Sequence, residues 1–410
     1  MIVADFHIHS KYSRATSRDM DLEHLSESAR FKGVDLLGSG DFTHFLWLEE
    51  LKSKLKEKSF GIYEFGGVCF ILTAEVSNIY SYQGKVRKIH NLIISPTFET
   101  VDKINSRLTK FGSLTADGRP MLGLSAKNLV EIVLEVDPDC MIIPCHIWTP
   151  WFSLFGANSG FDDIEECFGE YTKYIYALET GLSSDPAMNW RISGLDKFNL
   201  VSNSDSHSPS RIGREANVFN VKMDYQEIMQ ALKKKDKEKF SFTVEFYPQE
   251  GKYHLDGHRN CNLSFLPSES IKLNNICPHC GKPLTIGVLH RIEELADRED
   301  GFVPPEAVPF KSLVPLDEII AQAKGVQKGA KSVSIEYNAL IQRFGPELEI
   351  LLKMDDEFLK DKFPPKIAAG ILMVRNNKVK ISPGYDGVYG KVSLFEGDDK
   401  AQPEQQLSLF

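Results

Sequence analysis

Residues 1–222 alternate short apolar runs with amphipathic stretches, and this alternation constrains the fold more than any other feature of the chain. Eight of the runs have the length and composition of strands, and helical patterns lie between most of them. The first two are Ile2–Phe6 and Val34–Ser39, with the helical stretch Leu22–Phe31 between them. Alternating strands and helices predict a parallel sheet, and seven or eight repeats within about 220 residues favour its closure into a barrel.

The composition is that of a globular protein. At about 100–200 residues per domain, a chain of 410 residues predicts two or three domains. Hydrophobic residues make up 42% of the chain and charged residues 26%, which excludes a mainly disordered protein. No apolar run reaches the roughly 18 residues of a membrane span, and the first residues lack the pattern of a secretory signal. Seven unevenly spaced cysteines indicate a reducing compartment, so we expect a cytoplasmic protein.

The pattern changes along the chain and predicts four regions. Residues 1–222 hold the alternating strands and helices and form the expected catalytic domain. Residues 223–300 begin with a helical stretch and continue into a segment rich in Gly, Pro, His and Cys. Residues 301–395 are mainly helical and end in a short hairpin, which indicates a small helical domain. Residues 396–410 form a polar, acidic tail of the kind that is typical of disorder.

Histidines and carboxylates recur at or just beyond the ends of the predicted strands. His7 and His9 are two residues apart, so on a strand both imidazoles can face one metal ion. In a parallel β/α barrel the C-terminal strand ends converge on one face, where active sites form. Nine ligands exceed what one ion needs, so we expect two or three divalent ions (Zn, Mn, Mg or Fe), with Asp205 as the bridging carboxylate. The expected ligands are His7, His9, Asp41, His44, Glu75, His90, His146, Asp205 and His207.

Such a cluster indicates phosphoester hydrolysis. Adjacent divalent ions lower the pKa of a bound water and stabilise the attacking and leaving oxygens of a phosphoryl displacement. We expect a metal-activated water as the attacking group, oriented by Asp205. The expected catalytic residues are Asp205, His207, His146 and Glu75. Satisfied polar residues at strand ends are the alternative, but chance placement poorly explains so many ligand types at so many strand ends.

Four segments together resemble the PHP (polymerase and histidinol phosphatase) superfamily. The resemblance implies a distorted seven-stranded β/α barrel with up to three metal ions. Asp41 is followed by Phe42 instead of the usual histidine, which leaves open whether Asp41, His44 or both bind metal. A further ligand that usually lies a few residues after the His-x-His pair has no histidine here, and Arg14 in that stretch suits a phosphate contact. The four segments are Asp5-Phe6-His7-Ile8-His9-Ser10, Gly40-Asp41-Phe42-Thr43-His44, Thr73-Ala74-Glu75 and Asn203-Ser204-Asp205-Ser206-His207.

A second metal site is indicated further along the chain. His258 and Cys261 are separated by two residues, as are Cys277 and Cys280, and fifteen residues lie between the two pairs. This spacing is typical of a structural zinc ribbon, in which two tight turns each supply two ligands to one tetrahedral ion. Reduced thiols on a surface loop are the alternative. His258 is the preferred fourth ligand, and the alternatives for that position are His254 and His279.

The formal net charge of −9 by itself disfavours a nucleic-acid partner. Two segments reverse the sign locally, since residues 251–291 carry a net +3 and residues 365–391 a net +4. Tyr253, Tyr385 and Tyr389 lie among these charges, and such a mixture can hold a nucleic-acid backbone and stack on a base. An ordinary solvated surface is the alternative for either patch.

The order of these regions resembles the endonuclease Q family over about residues 1–391. The resemblance implies an enzyme that nicks DNA on the 5′ side of a deaminated base (uracil, hypoxanthine or xanthine) or an abasic site. The products would carry a 3′-hydroxyl and a 5′-phosphate. Arg191, Arg211 and Arg214 would hold phosphates unless they form structural salt bridges, and Tyr385 would contact DNA. Further matching segments are Trp148–Trp151, Asn189–Arg191, Asp205–Arg214 and Pro383–Gly390.

The last five residues, Gln406-Leu407-Ser408-Leu409-Phe410, match the bacterial sliding-clamp binding motif at every position. The resemblance implies a bacterial host and recruitment to the clamp through Gln406, Leu407, Leu409 and Phe410. A flexible tether would raise the effective concentration of the enzyme near clamp-loaded DNA. A strand that docks on the chain's own core is the alternative.

Two other functions are compatible with parts of the sequence. A PHP-type phosphomonoesterase for a small phosphorylated metabolite would have no use for the zinc module, the basic hairpin or the clamp motif. A non-catalytic DNA-binding adaptor would not need the full set of metal ligands. We therefore expect a metal-dependent DNA repair endonuclease in the cytoplasm, at the nucleoid, with damaged DNA and the sliding clamp as partners and no membrane contact.

Overall fold

A computed structural model describes residues 1–395 of the chain. In this part of the chain no helix is long and apolar enough to cross a bilayer. The strands are β1 (Ile2–Asp5), β2 (Leu36–Gly38), β3 (Lys56–Ser59), β4 (Ile62–Phe65), β5 (Val68–Tyr82), β6 (Lys85–Ser95), β7 (Met121–Leu122), β8 (Met141–Pro144), β9 (Ala177–Glu179), β10 (Asn199–Val201), β11 (Ala216–Phe219), β12 (Phe240–Glu245), β13 (Asp256–His258), β14 (Leu263–Phe265), β15 (Phe310–Ser312), β16 (Lys380–Ser382) and β17 (Lys391–Ser393). The helices are α1 (Leu22–Lys32), α2 (Phe45–Lys54), α3 (Phe98–Leu108), α4 (Ala126–Val136), α5 (Ile164–Phe168), α6 (Pro186–Asn189), α7 (Tyr225–Lys234), α8 (Pro267–Ser270), α9 (Val288–Leu295), α10 (Leu316–Lys324), α11 (Lys331–Phe344), α12 (Glu347–Leu352), α13 (Asp356–Lys362) and α14 (Pro365–Arg375).

Most of the strands join one mixed sheet in the order β15-β12-β11-β1-β2-β5-β4-β3. In addition, β6 pairs with β5 and β8, and β7 pairs with β5. The pairs β1–β2 and β2–β5 are parallel, whereas β1–β11 and β5–β6 are antiparallel. Strands β9 and β10 form a separate parallel pair. The predicted α/β class is therefore confirmed, and the expectation of an all-parallel sheet is wrong.

A hairpin of the two longest strands, β5 and β6, explains part of this difference. The turn between them is Gln83-Gly84, with φ of +49° and +76°. Positive φ at both central residues matches a two-residue hairpin turn, whose twist suits that of the strands it joins. A tight turn returns the chain antiparallel, because parallel neighbours need a crossover of about a dozen residues or more. Neighbouring strands are therefore antiparallel wherever a tight turn, and not a crossover helix, connects them.

The predicted helices in the first half of the chain are present, and capping residues mark where they begin. Asp21 caps α1 by accepting a hydrogen bond from the backbone N–H of His24, and Gly33 ends the helix with a φ of +81°. Ser125 caps α4 in the same way, by accepting from the N–H of Asn128. Each cap of this kind stabilises a helix by about 1 kcal/mol. The cap on α1 fixes where the chain leaves the preceding loop, which carries His7 and His9.

The C-terminal part packs against the sheet through buried contacts. Strands β12 and β15 extend the sheet itself, and one connected apolar core continues into helices α10 to α14. Lys32 of α1 and Glu347 of α12 form a buried ion pair with an Nζ–Oε2 distance of 2.6 Å. The hydroxyl of Tyr337 donates to the same carboxylate oxygen over 2.8 Å. These contacts hold the C-terminal helices in place relative to α1.

Candidate metal centre

The candidate metal centre forms where several strands approach the same edge of the sheet. The loop after β1 is fixed to the loop after β10 by a bridge between Ile8 and Ser206, in which the N–H of His9 donates to the carbonyl of Ser206 over 3.0 Å. All of the converging side chains except that of Asp205 are buried. The side chains that meet there are His7, His9, Glu75, His90, His146 and Asp205.

Four of them, His7, His9, Glu75 and Asp205, place one ligand atom each within 4.8 Å of the others. His9 Nε2 lies 3.1 Å from both Glu75 Oε2 and Asp205 Oδ1. His7 Nε2 lies 3.4 Å from Glu75 Oε2, is buried, and has no hydrogen-bond partner within the described structure. Since buried polar atoms normally have a partner, this nitrogen suits coordination instead. Two imidazoles and two carboxylates fit a bound divalent ion.

Glu75 also belongs to a second group, with His90 and His146. Its Oε1 lies 2.6 Å from His90 Nδ1 and 3.1 Å from His146 Nε2, while its Oε2 faces the first group. The carboxylate shared by the two groups is therefore Glu75 and not Asp205, which we expected to bridge. Glu75 lies within β5 between the two groups, whereas Asp205 follows β10 at the rim, where its side chain is 25% exposed. Two groups with a shared carboxylate can hold two ions.

Glu179, the last residue of β9, is a further buried carboxylate that the sequence motifs did not single out. Its Oε2 lies 2.9 Å from His7 Nδ1 and accepts a hydrogen bond from the Asn203 amide over 2.9 Å. Its Oε1 accepts from the backbone N–H of His146 over 2.9 Å. A carboxylate on the far ring nitrogen fixes the tautomer and orientation of a ligand imidazole. Like several of the ligands, Glu179 lies at the C-terminal end of a strand, so its position in the sequence could have indicated it as a site residue.

Asp41 and His44 lie outside these groups. Asp41 Oδ1 is 3.0 Å from His9 Nδ1, and Asp41 Oδ2 accepts from the backbone N–H and the hydroxyl of Ser10 over 2.6 and 2.7 Å. Asp41 thus orients His9 from the ring nitrogen that faces away from Glu75. The ring of His44 stacks on that of Tyr12 with the centroids 4.5 Å apart. Neither residue belongs to a metal-binding group of the described residues.

The open side of the centre lies at Asp205 and His207. Their side chains are 25% and 31% exposed, while the other residues of the centre are more deeply buried. The ring of His207 is 4.5 Å from that of His9 between centroids, and its Nδ1 lies 3.6 Å from Asp205 Oδ1. A substrate approaching from solvent therefore meets these two side chains first.

Left-handed backbone recurs among the predicted site residues. Asp41, His146 and Asp205 have φ of +48°, +31° and +46°. This conformation costs a residue other than glycine on the order of 1–3 kcal/mol, and it persists where the surrounding packing enforces it. Two neighbouring glycines leave the necessary room, because a Cβ on Gly118 would overlap the Asp41 carboxylate and one on Gly181 would overlap the side chain of His146. Such strain is concentrated at functional sites.

Burial and neighbouring charge act in opposite directions on the groups of the centre. Burial alone would raise the pKa of Glu75, but its electrostatic interactions with His90, Arg119 and His7 hold that pKa well below its usual range. Burial would likewise raise the pKa of Asp205, and hydrogen bonding and charge from nearby histidines hold it well below its usual range. Burial lowers the pKa of His90 to about 4, so its imidazole is neutral at pH 7. Ionised carboxylates and a neutral imidazole are the forms that bind a cation.

The arginines that were expected to hold phosphates already have protein partners. Arg119, which no sequence motif singled out, does contact the centre, with Nη1 3.0 Å from Glu75 Oε2. It lies between α3 and β7, where the sequence carries no strand-end signal. The expected arginines contact other groups: Arg14 contacts Asp117 (3.3 Å), Arg191 contacts Glu293 (2.7 Å), Arg211 contacts Glu318 (3.0 Å), and Arg214 donates to the Ser204 carbonyl (2.8 Å).

A second candidate metal site lies beyond the sheet. His258, Cys261, Cys277 and Cys280 place their ligand atoms within 4.8 Å of one another. The Cys277 and Cys280 ligands belong to a tight turn, in which the N–H of Gly281 donates to the carbonyl of Cys277 over 2.9 Å. One imidazole and three thiolates fit a tetrahedral structural zinc ion. Of the three histidines considered for the fourth ligand, His258 is the one in this group.

Tyr385 packs against the region of this second site. Its hydroxyl donates to Asn262 Oδ1 over 2.8 Å, and its ring occupies the space that a Cβ on Gly257 would need. The side chain that faces solvent is that of Tyr389, which is 63% exposed. Tyr385 thus holds the C-terminal hairpin on the zinc-site region, and Tyr389 presents the aromatic surface there.

Fold and site together define an α/β protein with a candidate divalent-metal centre of the kind that hydrolases use. The crystal structure of the lesion-specific endonuclease PfuEndoQ from Pyrococcus furiosus matches 98% of this chain and 97% of its own at 34% identity, with a TM-score of 0.87. Endonuclease Q in complex with a 27-mer duplex substrate, with an abasic lesion at the active site, matches 99% of both chains at 34% identity, with a TM-score of 0.85. This chain belongs to the endonuclease Q family.

Similarity to a longer protein is confined to part of that protein. A family model described as the MJ0043 C-terminal domain matches residues 315–378. The uncharacterized protein MJ0043 of Methanocaldococcus jannaschii is 34% identical over 274 residues. The match covers 64% of this chain and 34% of MJ0043, so this chain spans a minor part of that relative's length.

Proposed function

We propose that this chain is a metal-dependent DNA repair endonuclease that cuts one strand of a damaged duplex. The observation that carries the proposal is the pair of metal-binding groups that share Glu75. They occur in a chain that is similar over nearly its full length to an endonuclease solved with an abasic duplex at its active site. Two adjacent ions suit the cleavage of a phosphodiester, because they stabilise both the attacking and the leaving oxygen.

The proposed specificity follows the family resemblance. The enzyme would nick on the 5′ side of uracil, hypoxanthine, xanthine or an abasic site and leave a 3′-hydroxyl and a 5′-phosphate. Support comes from the similarity to a lesion-specific endonuclease. Damaged nucleotides are weakly paired, so extruding them from the duplex costs less free energy than extruding a paired nucleotide.

The residues of the centre take complementary roles in this proposal. His7, His9 and Asp205 would hold one divalent ion and His90 and His146 a second, with Glu75 between them. Bound ions would supply a nucleophile at neutral pH and counter-charge for the phosphate. In this proposal Glu179 and Asp41 would orient the ligand imidazoles, and His207 would contact the substrate from the open side. Arg119 would hold the Glu75 carboxylate in place through its ion pair of 3.0 Å.

The domain division is part of the same proposal. Residues 1–222 would form a PHP-type barrel that carries the centre, and residues 223–300 a connector helix and a zinc-binding module. Residues 301–395 would form the helical C-terminal domain. The metal-binding groups support the first two assignments, and the family model over residues 315–378 supports the third.

We also propose that the C-terminal tail binds the sliding clamp of a bacterial host. The residues concerned, Gln406, Leu407, Leu409 and Phe410, lie outside the described residues, and the motif alone supports the proposal. Deletion of residues 406–410 should abolish binding to the clamp and leave nicking of short duplexes unchanged. Clamp binding that survives the deletion would contradict the assignment.

The test of the main proposal is the nicking of labelled duplexes that each contain one lesion. With manganese or magnesium, we expect a single cut immediately 5′ of an abasic site, uracil or hypoxanthine. Glu75→Gln should reduce the rate by more than about 100-fold, since it removes the shared ligand and not only an outer partner. The matched control is Glu165→Gln, because Glu165 is exposed and pairs with Lys197 on the surface. Phosphate release from small monoesters without any nicking would refute the endonuclease assignment.

A further inference from the structure

Asp205 is the ligand of the first metal-binding group that packing constrains least, and its backbone is strained. Its side chain is 25% exposed, whereas those of His7, His9 and Glu75 are fully buried. Its φ is +46°, in the left-handed region that residues other than glycine rarely adopt. Such a conformation persists only where neighbouring contacts enforce it. Two such contacts act on Ser204, the residue immediately before Asp205.

Asp5 holds the backbone N–H of Ser204. The Asp5 side chain is buried, and its Oδ1 accepts a hydrogen bond from that N–H over 3.1 Å. Its Oδ2 accepts from the backbone N–H of Gly213 over 3.0 Å. One carboxylate thus joins the loop after β10 to the segment that precedes β11. Gly213 has a φ of +69°, and a Cβ there would lie 2.7 Å from Val34 Cγ2, so this close approach favours glycine.

Arg214, which follows Gly213, holds the carbonyl of Ser204. Its Nε and Nη2 both donate to this oxygen, over 3.1 and 2.8 Å. The carbonyl of Ser204 and the N–H of Asp205 belong to one planar peptide group. Fixing the oxygen therefore fixes the plane from which the carboxylate of Asp205 projects. With Asp5 on its N–H and Arg214 on its carbonyl, Ser204 has a fixed partner for each backbone polar group.

These contacts give Arg214 a role different from the phosphate contact that the family resemblance implies. A phosphate contact uses the positive charge, which a lysine also supplies as a point charge. A carbonyl clamp uses two N–H groups in a fixed fork, which the ammonium group of lysine does not reproduce. The structure favours the clamp, because Nε and Nη2 of Arg214 are already engaged by one oxygen.

We propose that Asp5 and Arg214 are positioning residues that hold Asp205 in its left-handed conformation and so place its carboxylate for a divalent ion. Asp205 Oδ1 lies 3.1 Å from His9 Nε2, within the first group. Rotation of the peptide group between Ser204 and Asp205 would relieve the backbone strain and turn the carboxylate away from that group. The inference rests on the proposed function, because it takes Asp205 as a metal ligand.

The first test measures manganese binding in the absence of DNA by isothermal titration calorimetry. Arg214→Gln should raise the dissociation constant for manganese by about tenfold, the lower end of the effect of losing a group that orients a ligand. Arg214→Lys should raise it less, because one donor to the carbonyl remains, and this variant serves if Arg214→Gln does not fold. Asp5→Asn should act in the same direction, because an NH₂ group replaces one acceptor oxygen. An unchanged dissociation constant in Arg214→Gln would overturn the proposal.

Arg375 provides a matched control, because it is also an arginine that holds backbone carbonyls. It donates to the carbonyls of Ile350, Leu351 and Met354 over 2.6 to 2.8 Å. Arg375→Lys should lower Tm and leave the dissociation constant for manganese unchanged. If Arg375→Lys weakened manganese binding as much as Arg214→Lys, the effect would be a general loss of packing and the proposal would be wrong.

DNA binding separates the clamp from a phosphate contact. Loss of one phosphate contact should reduce the slope of log K against log salt concentration by about 0.9 when divalent ions are absent. Arg214→Gln should leave this slope unchanged. In nicking of an abasic duplex, it should raise the half-maximal manganese concentration and not the KM for DNA. A reduced slope together with unchanged manganese binding would assign Arg214 to DNA and refute the clamp.

A double variant tests whether the two residues act together. Because Asp5 and Arg214 hold the same residue, Asp5→Asn combined with Arg214→Lys should raise the dissociation constant for manganese by less than the product of the separate factors. A combined factor equal to that product would overturn the shared clamp. An unchanged enzyme that binds manganese but nicks no damaged duplex would instead refute the proposed function, while the manganese comparison among variants would still decide the positioning role.

Discussion

Glu179 connects three parts of the metal centre, and its replacement tests whether one carboxylate holds them together. It lies 2.9 Å from His7 Nδ1, accepts the backbone N–H of His146 over 2.9 Å, and accepts the amide of Asn203 over 2.9 Å. Glu179→Gln preserves the size of the side chain but replaces one acceptor oxygen with an NH₂ group. At least one of the three donors then loses its partner, and the orientation of His7 is no longer fixed.

The size of the effect follows from this geometry. Removing an outer carboxylate that orients a ligand histidine lowers metal affinity or activity by about 10–100-fold. At about 1.4 kcal/mol per factor of ten, this corresponds to about 1.4–2.7 kcal/mol. A buried donor left without a partner costs about 1–3 kcal/mol of stability, less than the roughly 5–15 kcal/mol of a typical domain. The variant should therefore fold, but its metal centre should bind divalent ions more weakly.

The assay is the nicking of an abasic duplex over a series of manganese concentrations. Glu179→Gln should raise the half-maximal manganese concentration by about 10–100-fold and recover much of its rate at saturation. Glu165→Gln should titrate as the unchanged enzyme does, because Glu165 is exposed and its ion-pair partner is Lys197 on the surface. A manganese titration of Glu179→Gln identical to that of the unchanged enzyme would refute the orienting role.

Three further predictions concern packing, pH and zinc. Lys32→Met leaves the buried carboxylate of Glu347 without its cation and should lower the free energy of unfolding by about 3–5 kcal/mol. Adding Glu347→Leu to this variant should restore much of the lost stability. Denaturant unfolding measures both variants, and equal stabilities of the single and double variants would contradict the prediction. Burial, and then the charge of Glu318, raise the pKa of Glu250 to about 8 from 4.5, so the stability that this carboxyl contributes is present below pH 4.5 and lost as the pH rises through about 8. Glu250→Gln should therefore raise Tm relative to the unchanged protein at pH 9 and not at pH 5. Cys277→Ser should reduce the zinc content and Tm together, and a fully loaded variant in metal analysis would argue against the zinc site.

Local sequence patterns were enough to find most of the centre. His7 and His9 follow the first strand at a spacing of two, and Asp205 follows another strand, so their strand ends alone indicate a shared edge. The zinc-binding group could also be predicted from local sequence, because paired ligands such as Cys277 and Cys280 lie in one tight turn. Strand positions and ligand spacings depend on a few neighbouring residues, and a single sequence carries that information.

The tertiary structure decided which of these residues face one another. Pairing of β5 with β6 sets Ser77 opposite His90 and Leu92 opposite Glu75, and this register brings the Glu75 carboxylate between the two groups. No local pattern contains that register. Arg119 reaches the centre from a segment without any motif, while Arg211 is engaged by Glu318, more than a hundred residues away in the chain. The sequence alone determined which residue types gather at the strand ends. Contacts between segments remote in the chain decided which of them bridge, orient or stay outside the centre, because those contacts depend on long-range packing and not on local periodicity.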